Sequence, residues 1–317
     1  MENIEEEQSI IPGLPDDSSL RCLAMLSHGY HGTLECVSKK WRDLVRSDDY
    51  SCYKARNGWS GNWLFVLTEG YKNQWVAYDP EADRWHPLPI NNISVFQDGW
   101  EHSGFECVCV SSCLFVIGGC YKSSSRHEKT VVTNDVMRFD LFKKEWKKVA
   151  SMRTKRAFFA CGVVSGKVYV AGVEMSWSTV VDIWPAVRPR KYVAQGMKKD
   201  RLYTVVGGRL IKTRGTDGGE WYEVGLVPGV VLPGHPGEAP LIGYRFEALR
   251  DELYVIGGLV LSLEGLDEGR CDLVRLSVAK VCNLLDRPLI WRETKPMCIQ
   301  ACGPVIGCVS LEESSPP

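Results

Sequence analysis

Short runs of consecutive apolar residues recur along most of the chain. Copies of this run begin at Leu64, Leu114, Val168, Leu202 and Leu253, at intervals of 50, 54, 34 and 51 residues, and the copies at Leu114 and Leu253 are followed by two glycines. Four apolar residues in succession suit a strand buried on both faces, and the glycines allow a turn that a side chain would obstruct. The pattern therefore predicts a repetitive, mainly β domain.

A second signal divides this region into five units. It is a tryptophan followed three residues later by a branched or apolar residue, and it marks the last strand of each unit at Trp85, Trp146, Trp177, Trp221 and Trp291. The second unit predicts antiparallel strands at 107–110, 113–117, 135–140 and 145–149. The fifth predicts them at 244–249, 253–256, 272–278 and 290–294. Units of about 50 residues with four strands each are typical of a β-propeller.

The third unit is too short for four strands. Only five positions separate Gly172 from Trp177, whereas 27 separate Gly119 from Trp146 in the second unit. This predicts about five blades, with the third incomplete because of an internal deletion. The first unit lacks an innermost strand, and the apolar segment 303–309 is left over at the other end of the chain. We expect that segment to complete the first blade, because no sheet edge then stays open.

The first 55 residues have a different pattern. Leu14-Pro15 followed by two aspartates predicts the start of a helix, and Thr33 is predicted to cap a second one. Leu34, Val37, Trp41 and Leu44 follow at spacings that place them on one helical face. A segment of this length cannot bury this apolar face alone. It therefore needs either the next domain or a partner.

Two stretches of this region carry a resemblance to a known family. They are Leu-Pro-Asp-Asp at 14–17 and Val-Ser-Lys-Lys-Trp-Arg at 37–42, which together resemble the F-box, the helical motif that docks on the Skp-type adaptor of cullin-RING ubiquitin ligases. The resemblance implies an adaptor surface formed by Leu14, Pro15, Leu20, Leu23, Val37 and Trp41. The alternative is a helical hairpin that serves only to pack on the next domain.

The β region resembles kelch repeats. An apolar run, Gly-Gly, then Val-Met-Arg-Phe-Asp at 136–140 and a tryptophan form the motif. An F-box followed directly by kelch repeats is typical of plant proteins. The chain is thus predicted to comprise a disordered acidic tail (1–10), an F-box (11–55), a kelch-type β-propeller (60–310) and a disordered tail (311–317).

Composition narrows the possible environment and partners. The 317 residues carry a net charge of −1, so no overall basic field favours nucleic acid or an anionic membrane. The acidic N-terminus lacks the features of a secretory signal, and no apolar run is long enough to span a membrane. The thirteen cysteines are odd in number and form no Cys-x-x-Cys pair, which favours free thiols. We expect a cytoplasmic or nuclear protein without a cofactor.

Motifs for catalysis are missing from the sequence. It contains no phosphate-binding loop and no Gly-x-Ser-x-Gly elbow, and of the six histidines only His28 and His31 are close together. We therefore expect neither a metal site nor an enzyme; an oxidase or glycan-processing propeller would rest on fold analogy alone. The resemblances imply a substrate receptor that reaches cullin and a RING subunit through the adaptor and binds an unknown target protein. The alternative is a kelch scaffold that acts without ubiquitylation.

The loops between blades and after the glycines are the candidate target-binding region. They carry aromatic side chains and arginines, and an arginine can hold a carboxylate or phosphate with two hydrogen bonds. The candidates are Trp100, His102, Tyr121, Arg153, Arg156, Arg188, Arg190 and Arg209. The alternative is a packing role for Trp100 and His102 and, for many of the arginines, exposure to water or a role in bracing the turn.

Overall fold

The computed structural model describes residues 9–68, 75–89, 100–123, 130–164, 166–171, 195–198, 201–206, 210–215, 220–231, 238–239, 241–242, 244–262, 272–297 and 304–312. Helices come first: α1 (Asp16–Ala24), a 3₁₀ turn (His28–Tyr30), α2 (His31–Val37), α3 (Lys39–Val45) and α4 (Asp48–Arg56). No helix within these ranges is long and apolar enough to cross a membrane.

The strands follow in chain order. They are β1 (Trp63–Thr68), β2 (Trp75–Asp79), β3 (Arg84–Pro87), β4 (Trp100–Ser103), β5 (Glu106–Val110), β6 (Cys113–Ile117), β7 (Cys120–Ser123), β8 (Thr130–Val132), β9 (Val136–Asp140), β10 (Glu145–Lys148), β11 (Ala160–Val164), β12 (Lys167–Ala171), β13 (Gln195–Lys198), β14 (Arg201–Val206), β15 (Leu210–Gly215), β16 (Tyr222–Leu226), β17 (Val230–Val231), β18 (Glu238–Ala239), β19 (Leu241–Ile242), β20 (Arg245–Leu249), β21 (Glu252–Ile256), β22 (Leu259–Ser262), β23 (Asp272–Arg275), β24 (Ala279–Asn283), β25 (Trp291–Glu293) and β26 (Val305–Leu311).

Five sheets correspond to the five sequence units. Sheet 1 has the order β26-β1-β2-β3, sheet 2 β5-β6-β9-β10, sheet 4 β13-β14-β15-β16 and sheet 5 β20-β21-β24-β25, whereas the described part of sheet 3 is the pair β11-β12. The inner strands are neighbours: β26 lies beside both β5 and β20, β5 beside β11, and β20 beside β13. The sheets therefore follow one another in the order 3, 2, 1, 5, 4.

The last strand of the chain completes the first sheet. β26 pairs antiparallel with β1, with Phe65 opposite Val309. Every residue of β1 is buried, so an unpaired β1 edge would bury backbone groups without hydrogen bonds. This confirms the prediction that the leftover segment near the C-terminus closes the first unit.

Apolar side chains between consecutive sheets form the core. Phe65 and Trp75 of sheet 1 belong to the same buried cluster as Leu114 and Phe139 of sheet 2. Another cluster joins sheets 1 and 5, and a third joins sheets 4 and 5. Strands buried on both faces need apolar residues at every position. The consecutive apolar runs in the sequence therefore form the first or second strand of a sheet, counted from its inner edge.

The predicted strands of the second unit are confirmed, but one strand of the fifth is wrong. The third strand of sheet 5 is β24 (Ala279–Asn283), not 272–278, and it pairs Ala279 with Ile256. Residues 272–275 instead form β23, which pairs with β22 directly after the glycines. The segment 259–275 thus supplies its own partner strand, and β24, with four consecutive buried residues, covers β21.

The third unit is described only in part. β11 and β12 pair from Ala160 opposite Ala171 to Val164 opposite Lys167. The predicted last strand at Trp177 and the proposed deletion junction lie in 172–194, outside the described residues. The number of blades stays a prediction.

Among the described helices, serine side chains cap the 3₁₀ turn, α3 and α4, whereas α1 and α2 have no side-chain cap. Ser27, Ser38 and Ser47 accept hydrogen bonds from backbone N–H groups at the starts of the 3₁₀ turn, α3 and α4. The prediction that Thr33 caps a helix is wrong, because α2 begins two residues earlier and Thr33 lies inside it. Residues 9–56 contain four α-helices, and α4 extends to Arg56.

A carboxyl group is buried among the inner strands. Glu247 of β20 accepts hydrogen bonds at Oε1 from the Ser310 backbone N–H (3.1 Å) and hydroxyl (2.8 Å) of β26. Burial raises the pKa of Glu247 from 4.5 to about 7. The folded protein therefore binds this proton more tightly than the unfolded chain does, so Glu247 stabilises the fold fully below pH 4.5 and loses that contribution as the pH rises through 7.

Glu247→Gln is expected to weaken the dependence of the free energy of unfolding on pH. Glutamine keeps the Oε1 acceptor for Ser310 but carries no titrating proton. The free energy of unfolding of the wild type relative to the variant should fall by about 3 kcal/mol between pH 4.5 and pH 8. Urea unfolding at several pH values measures this difference, and parallel curves for the two proteins would contradict the expectation.

Candidate functional site

Trp41 holds the N-terminal segment on the helices. Its indole Nε1 donates a hydrogen bond to the carbonyl of Ile10 (2.7 Å), and Ile10 packs against the buried cluster formed by the helices. Ile10 was assigned to the disordered tail by the sequence analysis; residues 1–8 of that tail lie outside the described range. Trp41 lies in the first turn of α3, which starts at Lys39. The bond therefore places the segment before α1 beside the junction of α2 and α3.

The six residues of the predicted adaptor surface differ in accessibility. Leu14 is 41% exposed, Val37 is 59% exposed and Pro15 is also exposed. Leu20 and Trp41 are half-buried, whereas Leu23 is only 3% exposed and lies in the helical core. A partner can contact the first three directly, whereas Leu23 can act only through the packing of the helices.

A phenylalanine from sheet 2 fills the core of the helical domain. Phe142, in the turn between β9 and β10, packs edge-on against His28 with ring centroids 4.3 Å apart, and its ring also lies near those of His31 and Tyr50. Its side chain is buried in the same cluster as Leu23. The next domain thus supplies apolar cover for the helices, which is one of the two possibilities that the sequence left open.

Charged groups surround this contact. Lys144 pairs with Glu35 of α2 (2.9 Å), Arg46 pairs with the same carboxylate (2.6 Å), and Lys143 pairs with Asp48 of α4 (2.8 Å). Burial opposes ionisation of Glu35, but hydrogen bonds from Arg46 and Lys144 lower its pKa overall. Both lysines lie in the β9–β10 turn, so the helical domain is attached at that end of the sheets.

The glycine doublets lie at the other ends of the strands. Gly118 and Gly119 have φ angles of 59° and 97°, in the left-handed region that favours glycine. A Cβ on Gly119 would lie 2.6 Å from Nε2 of His102. Small three-stranded sheets, β4-β7-β8 and β19-β22-β23, extend from the doublets of sheets 2 and 5. The sequence predicted loops after the glycines, because most of these strand signals are too short to recognise, whereas 272–275 was predicted as part of the third strand of sheet 5.

His102 and Tyr121 have a packing role in this face. They lie opposite each other on β4 and β7, and their rings stack with centroids 4.3 Å apart. His102 is buried, and Phe105 stacks on its other side. Burial lowers the pKa of His102 to about 4, so the ring is neutral at pH 7. Trp100 starts the same strand, β4.

The arginines of this face are only partly described. Arg153 is exposed, whereas Arg156 is half-buried and its backbone bonds both Thr133 and Gly119. Arg188, Arg190 and Arg209 lie outside the described residues. Phe158, which the sequence analysis missed, is 62% exposed with a φ of 56°. An aromatic residue in a loop next to the arginines was the signal that could have indicated it.

The two neighbouring histidines also have a packing role. Nδ1 of His28 and Nδ1 of His31 are 3.4 Å apart, and both rings contact Phe142. Burial lowers the pKa of each, so both are neutral at pH 7. Within the described ranges, no group of three or more histidine, cysteine or acidic side chains could hold a metal ion.

Comparison with known proteins agrees with this arrangement. The family model "F-box domain" matches residues 11–52, which cover most of the helical domain. The model "Kelch motif" matches residues 102–153, which cover sheet 2 and most of the small sheet attached to it. The mainly β fold with an N-terminal F-box that the sequence predicted is confirmed.

Arabidopsis thaliana has several similar proteins. F-box/kelch-repeat protein At1g16250 is 58% identical over 387 aligned positions that cover all of both chains. Because this alignment is longer than the chain's 317 residues, the relative contains internal segments that this chain lacks. F-box/kelch-repeat protein SKIP30 is 34% identical over 53% of this chain and 48% of its own. The solved structure of YjhT covers 71% of this chain and 78% of its own at 15% identity, with a TM-score of 0.34. The chain therefore belongs to the plant F-box/kelch-repeat family.

Proposed function

We propose that this protein is the substrate-recognition subunit of an SCF-type ubiquitin ligase. The helical domain binds a Skp-type adaptor, and through it cullin and a RING subunit, and the kelch domain binds a target protein. The observation that carries this proposal is the exposure of Leu14, Pro15 and Val37 on a helical domain whose core is already filled by Phe142. Single exposed apolar residues are common, but these three lie in the segment that the F-box model matches, which favours a contact surface.

The position of the helical domain suits a receptor that performs no chemistry itself. It is attached at the β9–β10 end of sheet 2, whereas the glycine doublets and their small sheets lie at the opposite ends of the strands. An adaptor and a target could therefore bind at the same time. Holding both together makes transfer of ubiquitin to a target lysine effectively intramolecular. We place this activity in the cytoplasm, the nucleus or both.

Charge placed on the proposed adaptor surface is expected to abolish adaptor binding. In Leu14→Arg/Val37→Glu, each change replaces an exposed apolar contact, and central apolar contacts cost about 2 kcal/mol or more when lost. Affinity for a purified Skp-type adaptor should fall roughly 100-fold or more. Trp41→Ala is unsuitable for this test, because it would also remove the hydrogen bond to Ile10.

The matched control places the same charges on the kelch domain. Leu285 and Ile290 are also exposed apolar residues, in the turn between β24 and β25. Leu285→Arg/Ile290→Glu should bind the adaptor like the wild type, and both double variants should unfold at the wild-type temperature. Undiminished binding by Leu14→Arg/Val37→Glu would overturn the proposed adaptor surface.

A scaffold that acts without ubiquitylation is the second candidate. Proximity labelling with the wild type and with Leu14→Arg/Val37→Glu separates the two. A receptor predicts that the adaptor-deficient variant retains the target and that the target accumulates. A scaffold predicts target levels that are the same with both proteins.

Arg153→Glu/Phe158→Asp, at the opposite end of the strands, should reduce target labelling while leaving adaptor binding intact.

A further inference from the structure

A cavity of 510 Å³ lies where the helical domain meets sheets 1 and 2. Its walls come from three parts of the chain: the 3₁₀ turn and the start of α2, strands β1 to β3 with the segment after them, and the β9–β10 region. A volume of this size is typical of sites for small molecules. The cavity is separate from Leu14, Pro15 and Val37 and from the glycine doublets.

Most of the cavity wall is apolar. Phe65, Leu88, Phe139 and Leu141 line it, and the Trp63 ring lies near the rings of His28 and His86, at centroid distances of 6.0 and 5.8 Å. Apolar surface of this kind favours a hydrocarbon or aromatic group over water.

The polar groups of the wall are basic. His28, His86 and Lys144 line the cavity, and no aspartate or glutamate is among the described lining residues. The nearby Glu35 carboxylate is shared by Lys144 and Arg46, so two cations meet a single anion. The wall residue His86 also lies near Asp79 and Arg84, whose opposite charges offset each other. The surplus positive charge at this wall is therefore that of Lys144 and Arg46 over Glu35. An ammonium group has three donors, so Lys144 can bond a second anion besides Glu35.

Two nitrogens in the wall have unused hydrogen-bonding capacity. Nε2 of His28 and Nε2 of His86 are buried and have no hydrogen-bond partner among the described residues. Burial lowers the pKa of both rings, so they are neutral at pH 7 and can donate or accept. Neither nitrogen is exposed to the cavity, so the polar group of the wall that a ligand can reach is the ammonium group of Lys144.

We propose that this cavity binds a small apolar carboxylic acid, with its carboxylate at Lys144 and its hydrocarbon or aromatic part against Phe65, Phe139 and Leu141. Such a ligand would contact the helical domain and both sheets at once. It would therefore stabilise the attachment of the helical domain to the kelch domain. This inference stands independently of adaptor binding.

The test uses the full-length protein and two matched probes. One is 2-naphthoic acid and the other is 2-naphthamide, which has the same ring but no charge. Titration calorimetry at pH 7 should show binding of both, with the acid about tenfold tighter or more, because a hydrogen bond to a charged group is stronger than a neutral one. The acid should also raise the unfolding temperature.

Two neighbouring lysines provide a matched pair of variants. Lys144→Gln should remove the preference for the acid and leave the amide affinity unchanged. Lys143→Gln, in the same turn, removes the ion pair to Asp48 but changes no residue of the cavity wall, so it should bind both probes like the wild type. Equal effects of the two substitutions would overturn the assignment of the carboxylate to Lys144.

A third variant fills the cavity without disturbing its walls. A Cβ on Gly32 would meet only Nζ of Lys144, at 3.6 Å, and Gly32 lies in α2, where leucine is favoured over glycine. Gly32→Leu should fold normally and bind neither probe. Binding by this variant, or no binding of either probe to the wild type at millimolar concentration, would overturn the proposal. Neither result would affect the adaptor test.

Discussion

Deletion of residues 304–317 is expected to unfold the kelch domain. The deletion removes β26, which pairs with β1 and lies beside both β5 and β20. Sheet 1 would lose its inner strand, and the sheets on either side would lose their common neighbour. Burial stabilises by roughly 1.5–3 kcal/mol for each large apolar side chain. Val305 is buried, whereas Ile306, Val309 and Leu311 are half-buried, so their loss removes roughly 4–7 kcal/mol. That is comparable to the lower end of the stability of an ordinary domain, about 5–15 kcal/mol.

A shorter deletion provides the control for this experiment. Removing only residues 313–317 leaves β26 whole. The circular dichroism spectrum and unfolding temperature of this shortened protein should therefore match those of the wild type. The longer deletion should lose the cooperative unfolding transition and expose the β1 edge, which promotes aggregation. A peptide of residues 304–312 added to the truncated protein should restore part of the transition. Cooperative unfolding at the wild-type temperature without the peptide would contradict the role given to β26.

Phe142→Ala is expected to detach the helical domain. The ring is buried against His28, His31 and Tyr50 in a core that consists otherwise of residues from the helices and their flanking segments. Truncation of a buried phenylalanine to alanine costs about 3–5 kcal/mol. Four short helices with a small core cannot absorb such a loss. Hydrogen exchange should therefore accelerate in residues 16–56, whereas exchange in sheets 4 and 5 should stay close to that of the wild type.

A second phenylalanine offers the matched control. Phe158 is exposed at the opposite end of the strands, and Phe158→Ala should change the free energy of unfolding by no more than about 0.5 kcal/mol. Equal protection of the helices in Phe142→Ala and Phe158→Ala would contradict the role given to Phe142 and show that the remaining contacts, among them the ion pairs of Lys143 and Lys144 and the hydrogen bond from Ser27 to Asp79, hold the domain.

Sequence and structure agree best where the pattern has a single physical solution. Runs such as the one at Leu253 must be buried on both faces, so they predict strands reliably. The segment 272–278 was assigned wrongly because its apolar residues fit either the sheet or a side hairpin, and only the pairing of Ala279 with Ile256 selects between them. Local patterns do not contain that information.

The candidate site was predictable to a smaller extent. The two F-box stretches located the helical domain, but spacing alone could not separate the exposed Val37 from the buried Leu23. Phe142 was missed altogether, although an apolar Leu-Phe pair in a turn between two strands is unusual and was the available signal. Its partners are distant in the sequence, so its role depends on how the two domains meet.

The sequence by itself determined the division into an F-box and a kelch region, the strand repeats and the closure of sheet 1, because each follows from local burial and from the need to pair every strand edge. Only the tertiary structure decided which side chains face outward and how the helices are attached. It also formed the cavity at their boundary, whose wall joins residues from His28 to Lys144. Such features depend on contacts between segments far apart in the chain, and no local pattern specifies those contacts.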